Sequence, residues 1–157
     1  VGKTSLAEAL AVSWHATARD TDDILATAVG TSAGRYLRDE GEATYRAREL
    51  DALRTALEDD VDVVIATGGG IVTTPEARRI LVEEFTLWLD CDDDVILSRL
   101  GDVDRPLLAE DPTAALARLR AEREAWYREV SRIRVDTSPP LEVVVEHVTR
   151  EVDRLAR

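Results

Sequence analysis

The chain has 157 residues, 45% of them hydrophobic, which is enough for one domain with a proper core. A formal net charge of −12 disfavours nucleic acid as a main partner, since a phosphate backbone repels such a surface. No apolar run approaches the roughly 20 residues needed to span a bilayer. The single cysteine, Cys91, cannot form an internal disulfide, which fits a reducing cytoplasm, and with His15 and His147 it makes no zinc-type cluster.

In chain order, Gly2-Lys3-Thr4 opens a helix running to about Val12. A weak strand near His15–Arg19 ends at Asp20-Thr21-Asp22. Thr31 to Leu57 reads as helical, interrupted by Gly34 and Gly41, with Glu42–Leu57 the best-patterned stretch. Val61–Ala66 is a β-branched strand ending in Thr67-Gly68-Gly69-Gly70. Pro75 opens a helix to about Glu84, and Phe85–Asp90 is the next strand. A helix follows over about Asp92–Leu100, then a polar loop, Gly101–Pro112, read as a lid. Thr113 to about Ser131 is a long helix, Ile133–Asp136 a last strand, and Leu141–Arg157 a closing amphipathic helix. Trp14, Trp88, Trp126 and Phe85 are expected in or near the core. This alternation of strands and helices predicts an α/β domain on a parallel sheet.

Lys3 is the only lysine, against nineteen arginines. Between Gly2 and Thr4, ahead of a helix-forming run, it matches the back half of a phosphate-binding loop. There, backbone N–H groups at a helix start cradle phosphates, lysine reaches the β/γ-phosphates, and the Ser/Thr hydroxyl joins the Mg²⁺ shell. The loop's first glycine and the strand that should precede it lie outside these residues, so the sequence is read as a fragment of a longer product.

Ligands of a doubly wound sheet bind at the carboxyl ends of its strands. Gly2-Lys3-Thr4, Asp20-Thr21-Asp22 and Gly68-Gly69-Gly70 all fall at such ends. Asp20 and Asp22, two apart on extended chain, point the same way. One can serve Mg²⁺ through water and the other can accept a hydroxyl proton, or both are polar turn residues. The glycine triplet lets a ligand approach the backbone, or is a flexible turn. Arg46 and Glu49 lie one helical turn apart, so the carboxylate either orients a guanidinium that binds a substrate carboxylate or makes a solvated salt bridge. Arg105 in the lid can neutralise charge on a transferring phosphoryl group, and Arg123 is a further candidate anion clamp.

Taken together, Gly2-Lys3-Thr4, Arg19-Asp20-Thr21-Asp22, Gly41-Glu42-x-x-Tyr45-Arg46-x-x-Glu49, the glycine triplet, Arg105-Pro106-Leu107-Leu108 and Arg123-x-x-x-Tyr127 resemble shikimate kinase in order and spacing. The resemblance spans nearly the whole chain. It implies a P-loop NTPase fold of the nucleoside-monophosphate-kinase type, three layers α/β/α, with a parallel sheet in the order 2-3-1-4-5 whose first strand lies outside this chain. The whole of 1–157 would be a single domain, with a substrate-binding segment at about 23–50 and a lid at about 101–112.

The resemblance also implies Mg-dependent transfer of the ATP γ-phosphate to the 3-hydroxyl of shikimate. Gly2, Lys3, Thr4 and Ser5 would hold ATP, with Thr4 and Asp20 serving the metal. Asp22 would bind shikimate hydroxyls and act as base; Lys3 and Arg105 would complete the catalytic set. Arg46 and Arg123 would clamp the shikimate carboxylate, and Gly68, Gly69 and Gly70 would line the substrate. Arg99, Thr137, Ser138 and Pro139 would lie by the adenine. The chain departs from the family in having Tyr45 and Leu37 where phenylalanines are usual, a small polar second strand and a slightly short lid. A cytoplasmic monomer acting on shikimate and ATP, without nucleic acid or membrane, is the expected setting; whether this piece alone turns over is left open. A gluconate-type kinase, or a non-catalytic kinase-like domain, is the alternative.

Overall fold

A computed structural model of the protein describes residues 2–58, 61–100 and 111–157. Helix α1 (Lys3–Trp14) is followed by β1 (Thr17–Asp20), α2 (Thr21–Val29), α3 (Ala33–Glu40) and α4 (Glu42–Ala56). Then come β2 (Val63–Ala66), a 3₁₀ turn (Gly69–Thr73), α5 (Pro75–Glu83), β3 (Leu87–Asp90) and α6 (Asp93–Leu100). Last are α7 (Pro112–Val130), β4 (Ile133–Asp136) and α8 (Leu141–Leu155).

The strands form two parallel pairs. β1 lies on β2 with Thr17 opposite Val63 and Asp20 opposite Ala66. β3 lies on β4 with Leu87 opposite Ile133 and Asp90 opposite Asp136. Between β2 and β3 is a largely apolar cavity of about 510 Å³, bordered by Val63–Ala66 on one side and Leu87–Asp90 on the other. Two parallel strand pairs, each joined through helices, agree with the expected α/β class.

Two helical layers cover the sheet. On one face Leu6 and Leu10 of α1 meet Val144 and Val148 of α8, with Leu87, Leu89 and Val135 of the strands. On the other, Leu53, Ile71, Val72, Ala77, Leu81 and Val130 make a second cluster. The period of two on β3 divides its residues between these layers: Leu87 and Leu89 face α1 and α8, while the Trp88 ring stacks on Tyr127 of α7 at 5.7 Å. A third cluster, Leu25, Tyr45 and Ala52, packs α2 and α3 against α4.

Some sequence expectations are corrected. Residues 21–29 form a helix where none is expected, because Asp20 caps it by accepting from Asp22 N–H at 2.9 Å and Asp22 and Asp23 complement its dipole. Gly34 does not break α3; Ser32 caps that helix two residues earlier, and the joint falls at Gly41, whose φ is 84°. Phe85 is 47% exposed and outside the core. The strand starts only at Leu87, since the Thr86 hydroxyl donates to Leu81 O at 2.7 Å and closes the end of α5. Val61 and Asp62 likewise precede β2, and Ser131 follows α7 as its cap. Of the lid expected at about 101–112, residues 101–110 lie outside the described residues, while Asp111 caps α7 and Pro112 opens it.

Leu25→Ala, in a closed cluster, is expected to lower unfolding free energy by about 2–5 kcal/mol in urea titration.

Candidate active site

The first group stands at the start of α1. Gly2 is its N-cap, in the left-handed region at φ 79°, and Lys3 is half-buried at the edge of the cavity. Ser5 is exposed in the same turn. The Thr4 hydroxyl donates to Asp20 Oδ2 at 2.6 Å, while Asp20 Oδ1 accepts from Asp22 N–H. One carboxylate thus joins the phosphate-loop helix to the start of α2. Among the described residues no cluster of three or more His, Cys, Asp or Glu could enclose a metal. A hydroxyl and a carboxylate, both hard oxygen donors, suit Mg²⁺, which keeps waters and takes phosphate oxygens for the rest of its shell.

The second group is built on α4. Arg46 Nη1 donates to Glu49 Oε2 at 2.7 Å, and Nη2 donates to Glu42 Oε1 at 3.4 Å. The Arg46 and Glu49 side chains are only 12% and 1% exposed, so the solvated-salt-bridge alternative does not hold. Burial pushes the Glu49 carboxyl above its ordinary range, against the opposing pull of Arg46. For Arg46, burial works against the charge, yet Glu49 keeps the guanidinium above its usual value. Arg46 Nε, Arg123 Nε and Glu49 Oε1 are buried without hydrogen-bond partners. Two buried guanidinium groups, each with a donor to spare, are suited to an anion.

The glycine triplet makes room, and the protein's own side chains use it. A Cβ on Gly68 would stand 2.4 Å from Glu49 Oε1, and one on Gly70 would stand 2.1 Å from Arg46 Nη2. Gly69 is held by Tyr127, whose hydroxyl donates to its carbonyl at 2.6 Å. A Cβ on Gly68 would also lie 3.7 Å from Asp22 Oδ1, so the triplet, Asp22 and the α4 pair share one pocket wall. The Tyr45 hydroxyl, where phenylalanine is usual, donates to Asp22 Oδ1 in a long contact of 3.4 Å. Burial, with Glu49 and Asp22 nearby, drives that hydroxyl far above the ordinary phenol range and keeps it a donor.

The third group lies across the ends of β3 and β4. Arg99 Nη1 and Nη2 donate to the Thr137 and Ser138 carbonyls at 2.8 and 3.2 Å, fixing the loop that continues into Pro139. The expected residues therefore assemble into three groups: Lys3 and Thr4 with Asp20; Arg46 and Glu49 with Asp22 and the glycine triplet; and Arg99 with Thr137 and Ser138. Arg105 lies outside the described residues. Missed in the sequence were the burial of Glu49 and the carboxylate of Asp90, which takes guanidinium groups from both Arg120 and Arg134. The signal for Asp90 was available: it ends a strand, as Asp20 does.

A family model for shikimate kinase matches residues 1–153. The chain belongs to the shikimate kinase family. It is 36% identical over 138 residues to the shikimate kinase of Frankia casuarinae, covering 87% of this chain and 61% of that protein. It is 37% identical over 140 residues to that of Chromobacterium violaceum, covering 87% of this chain and 76% of the relative. Among solved structures, the shikimate kinase of Acinetobacter baumannii in complex with shikimate superposes with a TM-score of 0.90 at 28% identity, over 96% of this chain and 86% of that one. Membership makes this a phosphotransferase domain with an alcohol acceptor, on the P-loop NTPase-type fold.

The buried pair sets a pH dependence. Because Glu49 has a folded pKa above its unfolded value, its own contribution to stability is full below the unfolded pKa and is lost as pH rises through the folded one. Its service to Arg46 runs the other way, since protonation releases the guanidinium. The KM for shikimate is expected to rise as pH falls, starting above the ordinary Glu range near 4.3. Glu49→Gln should flatten that dependence in a KM–pH profile. Gly70→Ala is expected to raise the same KM about tenfold or more, because Arg46 must leave its place.

Proposed function

We propose that this domain transfers the γ-phosphate of ATP to the 3-hydroxyl of shikimate, giving shikimate 3-phosphate and ADP. The observation that carries the reading is the buried Arg46–Glu49 pair sealed against Gly68 and Gly70, with Arg123 Nε also buried and unpartnered. A small carboxylate with several hydroxyls suits two guanidinium groups, which hold the carboxylate, and one acidic acceptor, which holds the hydroxyls.

In the proposed reaction Asp22 bonds the reacting hydroxyl and takes its proton. The new O–P bond forms as the bond from Pγ to the bridging oxygen breaks, and ADP carries away the electron pair. Lys3 follows the negative charge on the β/γ-phosphates, and the N–H groups of Gly2, Thr4 and Ser5 cradle them. Thr4 and Asp20 would hold Mg²⁺, which neutralises charge on the phosphate oxygens when bound. Arg105 would reach the same phosphates from the 101–112 segment. Arg99, Thr137, Ser138 and Pro139 would border the adenine. Gly68, Gly69 and Gly70 line the substrate side, where their lack of side chains lets Arg46 and Glu49 take their places.

The domain is inferred to work as a cytoplasmic monomer on two small anions. No described helix is long and apolar enough to cross a membrane, and the charge of −12 opposes nucleic acid. The test is a coupled ADP-release assay in a polypeptide that also carries the first half of the phosphate loop. Turnover of shikimate with Mg-ATP is expected; turnover of gluconate without shikimate would establish the gluconate-type alternative. Arg46→Ala is expected to raise the KM for shikimate about 10- to 100-fold with a smaller effect on kcat. Lys3→Met is expected to lower kcat about 100-fold or more. Equal, small effects from both would overturn the assignment of roles.

A further inference from the structure

Arg120 stands one turn before Arg123 on α7, and every nitrogen of its guanidinium is engaged. Nε donates to Asp93 Oδ1 at 2.9 Å, and Nη2 donates to the same oxygen at 2.6 Å and to the Cys91 carbonyl at 2.9 Å. Nη1 donates to Asp90 Oδ1 at 2.8 Å. These acceptors belong to the end of β3 and the first turn of α6. The other oxygen of Asp90 accepts from Arg134 of β4, through Nε at 2.9 Å and through Nη2. The Asp90 carbonyl accepts from the Thr137 N–H and hydroxyl at 2.8 and 3.2 Å. Since Arg99 donates to Thr137 and Ser138, the circuit returns to α6. Burial works against the Asp90 charge, but the hydrogen bonds from Arg134 and Arg120 hold the carboxyl below its ordinary range, so it stays an acceptor at neutral pH.

Hydrophobic packing supplies only part of this connection: Leu116 and Leu119 are half-buried and border the cavity with Ile96 of α6. In α7 the buried residues are Arg123 and Val130, and no side chain of the helix before Arg123 is buried. The directional contacts that locate the N-terminal half of α7 are those of Arg120, its multidentate anchor. Residues three apart on a helix share a face, so fixing Arg120 also fixes the rotation and height at which Arg123 leaves the helix. We propose that Arg120 is a positioning residue that ties α7 to the 137–138 loop, setting where Arg123 meets the substrate carboxylate relative to bound nucleotide. This rests on the proposed function for the identity of the substrate, while the tying itself does not.

The experiment compares Arg120→Met, Arg120→Lys and Arg134→Met in the full-length protein. Arg134→Met removes the other guanidinium from Asp90 and leaves α7 attached. Arg120→Met is expected to raise the KM for shikimate about tenfold, with a smaller change in kcat, as a displaced clamp requires. Arg120→Lys should recover part of the loss by reaching one carboxylate. Arg134→Met should stay within about twofold of the unaltered protein. Hydrogen–deuterium exchange at 115–123 should quicken in Arg120→Met and not in Arg134→Met. A shikimate KM unmoved by Arg120→Met, or exchange at 115–123 unmoved, overturns the proposal. So does equal damage from Arg134→Met. Failure of the unaltered protein to turn over shikimate would instead overturn the proposed function, and exchange would still decide the tying of α7.

Discussion

The site depends on burying one ion pair inside the domain. Arg46 and Glu49 lie almost wholly inside the domain, and removing either partner would leave a charge that costs about 3–5 kcal/mol. The pair is accommodated because the chain after β2 carries no side chain at Gly68 or Gly70, where a Cβ would strike Glu49 or Arg46. That contact locks α4 to the end of β2. It also leaves the remaining polar atoms, Arg46 Nε and Glu49 Oε1, without partners in a pocket shared with Arg123. A binding site built this way is organised before its ligand arrives, which reduces what binding must spend on ordering.

Carboxylates at strand ends are the second recurring device. Asp20 ends β1 and joins the start of α1 to the start of α2; Asp90 ends β3 and joins α6, α7 and β4. Each stands where a parallel sheet directs its strand ends toward ligands. Asp20 faces Thr4 at the start of α1, and Asp90 lies beneath the loop that carries Thr137 and Ser138. The two carboxylates thus serve one strand pair each, Asp20 that of β1 and β2 and Asp90 that of β3 and β4.

Much of this was legible in the chain. The period of two in Leu87-Trp88-Leu89, the glycine punctuation and the spacing of Arg46 and Glu49 depend on local geometry, and local geometry follows from residue order. The helix at 21–29 was less legible. Its apolar residues fall late, in a nine-residue stretch that opens on Thr21, Asp22 and Asp23, and its start depends on one carboxylate, Asp20, which caps the helix with one oxygen while the other meets Thr4. Phe85 misled for a related reason, since an aromatic beside a strand signals a core only if some element covers it, and here it borders the cavity.

The sequence by itself determined the α/β class, the family, and the residue types available for phosphate, carboxylate and hydroxyl binding. Those follow from short motifs whose spacing survives without knowledge of the fold. Only the tertiary structure decided that the Arg46–Glu49 bridge is buried, that the glycines yield to side chains of the protein's own, and that Arg120 reaches Asp90 and Asp93. Each of these joins residues 19 to 30 positions apart or more, or turns on exclusion of water. Dielectric surroundings and close approach are properties of packed neighbours, and residue order alone does not state which neighbours those are.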